Sequence, residues 1–334
     1  MSHNSTDYFM PAEWTRHRGT LMEWPVADPV WGDDLDNAKR AFADVARTIA
    51  RFEPVTLIVN PGESAEAAAY LSISDGITVI ELAHDDCWAR DNGPTFVKHK
   101  TTGALAGINW RFNAWGGRFP YALDDTIPER YLAPLNLPRI DAPIILEGGS
   151  IHTNGAGILL TTEECLLNPN RNPSLSKAQL EDILLAHLGA ERVVWLPYGL
   201  DGDETDGHVD NVCCFIDDDT VLLPWTDDNA HPNFERLAAD RAVLERAGLR
   251  IELLPQPPVV LHRDAPLTLS YINFLFVNGG IVMPSFGGDA AETDVLALET
   301  MRRLFPDRAV VAPSTLDILK GGGNIHCITQ QIPL

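Results

Sequence analysis

Three stretches of this chain repeat one order of elements, and that repetition constrains the fold more than any other feature. SIHTNGAGILLTT (150–162) reads as a hairpin around Asn154-Gly155, a strong turn pair. It is followed by a helical pattern at 174–188, with Ser174 as its cap and Gly189 as its stop, and by RVVWLP (192–197). HVDNVCCFIDDDTVLLP (208–224) turns at Asp217–Asp219 and leads into a helix at 233–247, closed by Gly248, and RIELLP (250–255). SYINFLFVNGGIVMP (270–284) turns at Asn278-Gly279-Gly280 and leads into a helix at 290–305, closed by Pro306, and RAVVAP (308–313). The ends fit the same scheme. GTLMEW (19–24) reads as a lone strand before a helix at 34–52, where Leu35, Ala38, Phe42, Val45, Ile49 and Phe52 recur at helical spacing and Asp33 or Asp34 caps the start. VTLIV (55–59) and ITVIEL (77–82) follow. NIHCITQQI (324–332) reads as a lone final strand, and pairing it with the first would close a ring without a covalent joint. PTFVK (94–98) and GALAGINWRF (103–112) supply the hairpin of a fifth module. No Pro-, Gly- or Ser-rich linker interrupts the series, so one α/β domain spanning 1–334 is expected, not the two that length suggests.

A strongly polar residue opens each hairpin: Asp91, Glu147, His208 with Asp210, Asn273 and Cys327, spaced 54 to 65 residues apart. If the modules surround one axis, these positions meet at its centre, where a ring builds its site. The charge balance bears on what enters. With 47 acidic residues against 25 basic, the net charge of −22 argues against a nucleic-acid partner and favours cations. No apolar run reaches membrane-spanning length, and the first 30 residues lack the pattern of a secretory leader. Five cysteines make no disulfide scaffold, so a cytoplasmic protein is expected.

Other motifs exclude chemistries. DGDETDGHVD (201–210) fails as a calcium loop, because its glycine is one place late and Val212 stands where a bidentate Glu belongs. His208 with Asp210 offers too few ligands for zinc, so no metal is expected. GGGN (321–324) lacks phosphate-loop spacing and reads as a tight approach of backbone to a neighbour. His326 and Cys327 look like a dyad, but adjacent strand residues point to opposite faces. A nucleophilic Cys327 therefore needs its acid/base from another module, and His208 holds the equivalent position. Cys87, Cys165, Cys213 and Cys214 read as core.

MPAEW (10–14), WARDNGP (88–94), NAWGG (113–117), LEGGSIH (146–152), TEECLLNPNRNP (162–173), GHVDNVCCF (207–215) and GGGNIHCITQQ (321–331) together closely resemble the agmatine deiminases of the guanidine-modifying, or pentein, superfamily. The resemblance runs from about residue 8 to 332. It implies a five-bladed pseudosymmetric α/β-propeller of ββαβ modules and hydrolysis of a guanidine to a ureido group plus ammonia, without metal or organic cofactor. For agmatine the product is N-carbamoylputrescine, an intermediate of putrescine and polyamine biosynthesis. The resemblance implies Cys327 as nucleophile, His208 as general acid/base, Glu147 as its orienting carboxylate, and Asp91 and Asp210 as the grip on the guanidinium. Gly322 and Gly323 belong to its substrate loop.

The chain departs from the family pattern before Gly207, where it reads GDETDGH, and after NAWGG, where it reads RFPYALDD (118–125). Both segments are expected to border the distal-amine pocket. Glu204 or Asp206 is a candidate acceptor of that amine, and Trp88 or Trp115 a candidate packing surface for the alkyl chain; a solvated turn and core packing are the plain alternatives. Another guanidine (arginine, peptidyl arginine or an aminoalkylguanidine) and amidino transfer to an amine stay open as alternatives. So does assembly as a homo-oligomer.

Overall fold

A computed structural model describes residues 7–26, 31–71 and 76–334, so parts of the amino-terminal stretch read above lie outside it. Among the described residues, five sheets share one design, and a two-stranded ribbon, Leu261–His262/Ala265–Pro266, stands apart from them. In each, a short antiparallel hairpin is extended by a third strand that returns through a helix and pairs in parallel with the hairpin's second strand. The sheets are Thr329–Pro333/His17–Glu23/Val55–Val59, Thr95–His99/Leu105–Arg111/Arg139–Ile145, His152–Thr153/Ile158–Thr162/Arg192–Leu196, Cys214–Phe215/Thr220–Trp225/Arg250–Pro255 and Leu275–Val277/Gly280–Val282/Ala309–Val311. Ile77–Glu81 adds a parallel edge to the first, and Tyr8–Phe9 an antiparallel edge to the second, which the sequence had not suggested. The last strand pairs with the first long one, Gln330 opposite Leu21, and so closes the ring as expected. The fold is a five-bladed α/β-propeller of ββαβ modules.

The helices cover the outer faces of the blades. Leu35–Ala50 buries Ala38, Phe42, Val45 and Ile49 against the first sheet. Each large side chain so buried contributes about 1.5–3 kcal/mol. Two helix starts differ from expectation. Lys177–Leu188 is capped by Ser176, not Ser174, because Ser176 completes a reciprocal capping box with Gln179; Gly189 ends it at φ 65° as anticipated. Asp34 occupies the expected cap position but makes no side-chain cap bond, since Lys320 holds its carboxylate at 3.1 Å.

One buried acid sets a pH dependence of stability. Asp240, on the inner side of Phe234–Arg246, is inaccessible; its Oδ1 accepts from the Tyr198 N–H at 3.2 Å, while Oδ2 has no partner. Burial pushes its pKa up to about 8, against the Tyr198 bond and the Arg236 charge. A folded-state pKa above the unfolded value means stability is full at low pH and declines as pH rises from about 4 through about 8. Asp240→Asn is therefore expected to stabilise the fold by several kcal/mol at pH 8, at about 1.4 kcal/mol per unit of the rise, and to flatten this decline. Denaturant melts across that range check it, and an unchanged slope would refute the assignment.

Candidate active site

The polar residue of each module sits not on a strand but in the turn just ahead of it. Asp91 lies in the short helix Ala89–Asn92, Glu147 precedes the 3-10 turn Gly148–Ser150, and His208 precedes the 3-10 turn Val209–Asn211, which carries Asp210. The sequence reading put His208 and Cys327 on strands; this is corrected. The final strand starts only at Thr329, and Cys327 lies in a turn closed by Ile328 N–H to Asn324 C=O and Thr329 N–H to His326 C=O. A turn can aim its side chain along the ring axis, which a pleated strand cannot.

The five expected groups converge there. Cys327 Sγ lies 3.6 Å from Asp210 Oδ2 and receives the Asn273 amide Nδ2–H at 3.1 Å. His208 Nδ1 faces Asp91 Oδ1 at 3.7 Å, and its Nε2 faces Glu147 Oε2 at 3.6 Å. All five are buried. Gly149 forms the floor: its N–H donates to Asp91 Oδ1 at 3.0 Å, and a Cβ there would stand 2.6 Å from His208 Nδ1 and 2.9 Å from both Asp210 Oδ2 and Asp91 Oδ1.

This concentration of charge decides the protonation states. Burial, then Asp210 and Asp91, push the Cys327 thiol well above its ordinary value, so the thiol stays neutral unless a cation offsets those carboxylates. Burial would depress His208, but Asp91, Cys165 and Glu147 override it and hold the imidazole protonated. Burial pushes Asp91 up to about 6; His208 opposes this, while Asp210 and Glu147 add to it. Burial would raise Glu147 too, yet His208 and Arg171 bring it below the usual carboxylate range.

A narrow pocket leads to Cys327 between Trp88, Trp115 and Phe119 on its sides and Asp86, Asp91 and Glu204 among its polar lining. Trp115 belongs to a run of four residues, 114–117, with φ of 50°, 52°, 94° and 81°. Holding Ala114 and Trp115 there costs on the order of 1–3 kcal/mol each, and the strain aims the Trp115 Nε1–H at Asp91 Oδ2, 2.9 Å away. Gly322, at φ 102°, needs its missing side chain, and a Cβ on Gly323 would come within 2.4 Å of Trp88 and 2.9 Å of Cys327 Cβ. Glu204 is on the pocket wall as anticipated. Asp206 is not: its carboxylate is bound by Arg171, Arg118 and Asn170 instead of facing the cavity.

Several residues of the site were missed. Asn273 was recognised only as a module position, yet its Oδ1 also accepts the His326 N–H at 2.9 Å. His326 bridges Asp210 Oδ2 at 2.8 Å and Glu13 Oε1 at 2.9 Å; both carboxylates accept, so both ring nitrogens donate and the ring is an imidazolium. His326 thus does serve the site, though through Asp210. Asp86 receives the Trp88 Nε1–H at 2.9 Å. Cys165 is buried as expected, but it lies with Glu147 and His208 in a group whose ligand-type atoms are all within 4.8 Å of one another. A thiol, imidazole and carboxylate could hold a metal ion, but Glu147 and His208 already have acid/base partners and Arg171 occupies the other Glu147 oxygen at 2.9 Å.

A ring of five such modules with a thiol, an imidazole and paired carboxylates at its axis defines a guanidine-modifying propeller. The chain belongs to the Porphyromonas-type peptidyl-arginine deiminase family, whose model matches residues 9–333. It is 45% identical to the agmatine deiminase of Stutzerimonas stutzeri, over 98% of this chain and 95% of that one. It is 44% identical to the agmatine deiminase of Pseudomonas aeruginosa, over 97% and 95%. The structure of Enterococcus faecalis agmatine deiminase superposes with a TM-score of 0.93 at 34% identity, covering 100% of this chain and 98% of that chain.

Proposed function

We propose that this chain, acting as one catalytic domain, hydrolyses agmatine to N-carbamoylputrescine and ammonia through a covalent intermediate on Cys327. The observation carrying this reading is a cavity lined by Cys327 together with Asp91, Trp88, Trp115 and the further carboxylates Asp86 and Glu204. A guanidinium is a planar cation whose N–H fork suits carboxylates, and Asp91 and Asp210 supply them beside the sulfur. A flexible alkyl chain suits the indole walls, and a second cation suits Glu204 and Asp86.

Substrate binding supplies the charge that forms the nucleophile. The guanidinium offsets the Asp91 and Asp210 charges that keep the thiol neutral, so the thiol proton passes to solvent water at the pocket mouth and a thiolate forms, while His208 keeps its own proton. The thiolate attacks the guanidinium carbon. His208 donates a proton to the departing amino group, ammonia leaves, and an S-alkylthiouronium remains on Cys327. Neutral His208 then takes a proton from water, whose oxygen adds to the same carbon. Collapse expels the Cys327 sulfur and leaves the ureido oxygen. Glu147 stabilises the protonated imidazole in both half-reactions. No step needs a metal or an organic cofactor.

Peptidyl arginine is the second reading, favoured by the description of the matching family. A kcat/KM comparison of agmatine, arginine and a peptidyl arginine tests both. The expected result is a preference for agmatine of at least about a hundredfold: peptidyl arginine lacks the terminal ammonium, and a lost charge-assisted bond in a buried pocket costs about 3 kcal/mol, while free arginine brings a carboxylate against Glu204 and Asp86. Equal or better use of peptidyl arginine would overturn the agmatine reading. Product that forms only with an added amine acceptor would indicate amidino transfer. Among the described residues no helix is long and apolar enough to cross a membrane.

A further inference from the structure

Behind the acid/base pair runs a line of alternating charges that the reaction itself does not use. Arg171 has a fully buried side chain whose guanidinium points three ways. Its Nε–H donates to Glu147 Oε1 at 2.9 Å, its Nη2–H to the Thr205 carbonyl at 2.8 Å, and its Nη1–H to Asn170 Oδ1 and Asp206 Oδ2. The other oxygen of Asp206 accepts from Arg118 Nη2 at 2.6 Å. Arg118 stands on the segment that carries the pocket-lining Trp115 and Phe119, and Asp206 stands beside the pocket-lining Glu204 and Thr205. Two walls of the cavity are thus tied to each other and to Glu147 through one sequence: Arg118, Asp206, Arg171, Glu147, His208.

We propose that Asp206 and Arg171 are positioning residues that hold Glu147 against His208, and that Arg118 links the 113–119 wall of the cavity to this pair. The proposal rests on His208 being the acid/base of the deiminase reading. Arg171 lies between two carboxylates and divides its charge between them. Without the charge of Asp206 it would bear on Glu147 alone, and Glu147 would then stabilise protonated His208 less. Loss of Arg118 acts in the opposite sense, because it leaves Asp206 to neutralise Arg171 more fully. The left-handed backbone at Asp206, φ 65°, places its carboxylate in this line instead of in the cavity. Other groups also act on His208: Asp91 and Glu147 face its nitrogens, Cys165 contacts it, and Asp203 and Asp210 lie within electrostatic reach. None of these is altered by the variants below.

His208 must be protonated to release ammonia, so a weaker Glu147 lowers the pH at which kcat declines on the alkaline side. Asp206→Asn is expected to move that limb down by about one pH unit, with kcat above it reduced about tenfold. Asp206→Glu, which keeps the charge, should return the limb towards the parent position. Arg118→Glu, at a surface position, should raise KM several-fold with the limb at or above the parent value. pH profiles of kcat and KM on agmatine, accompanied by thermal melts, read all three. An Asp206→Asn enzyme slowed evenly at every pH would show only a structural role and overturn the proposal. If that variant does not fold, Arg118→Glu decides alone: a raised KM with the limb held or raised supports the proposal, and a fall of its limb or a parental KM overturns it. Absence of agmatine turnover by the unmodified protein would instead defeat the deiminase reading on which this rests.

Discussion

Replacing Cys327 with serine is expected to lower agmatine turnover by roughly ten-thousand-fold or more, while the fold stays intact. A serine hydroxyl in this position has no base strong enough to ionise it, and the neighbouring Asp210 oxygen opposes the alkoxide as it opposes the thiolate. The other cysteines set the control. Cys87 is a buried core residue, and burying a hydroxyl in its place costs about 1–3 kcal/mol of stability without touching the reacting atoms. Cys165→Ser keeps a small polar group against His208 and is expected to retain activity within about tenfold. Steady-state kinetics on the three variants, with melts alongside, check this. Equal losses in all three would mean that the nucleophile is misassigned.

Gly149→Ala is expected to be nearly as damaging, with kcat/KM reduced at least about a hundredfold. The added methyl would lie well inside contact distance of the His208 ring and of one oxygen on each guanidinium-binding carboxylate. None of the three side chains can retreat, because Glu147 faces His208, His326 holds Asp210, and the Trp115 indole holds Asp91. The methyl group therefore displaces the catalytic groups, and a displacement near 1 Å at a reacting centre costs about a hundredfold in rate. Circular dichroism together with kcat/KM separates this from unfolding. A folded Gly149→Ala enzyme with parental kinetics would show that the floor can yield.

Much of this architecture could be read from the chain because each module writes the same local signals. Asn154-Gly155 and Asn278-Gly279 mark the hairpin turns, and both hairpins form about them. The polar residue before each hairpin could be found by its recurrence, and all five meet at the axis. What could not be read is how these residues are supported. His326 was dismissed by a strand argument, and the backbone there is a turn. Glu13 reaches the site from 313 residues before His326, a pairing that no local pattern encodes. Arg171, in the NPNRNP stretch, could have been suspected as a cation that must find carboxylates once buried. Asp206 was offered to the substrate amine because its segment departs from the family pattern and was expected to border the distal-amine pocket. Arg171 and Arg118, remote in sequence, take that carboxylate instead.

Mass spectrometry of protein quenched with acid during turnover of saturating agmatine tests the covalent mechanism most directly. The account predicts an adduct of agmatine less ammonia on the peptide bearing Cys327, forming and decaying at rates compatible with kcat and absent from Cys327→Ser. Steady release of N-carbamoylputrescine with no such adduct at any time point, or an adduct on another residue, would contradict it.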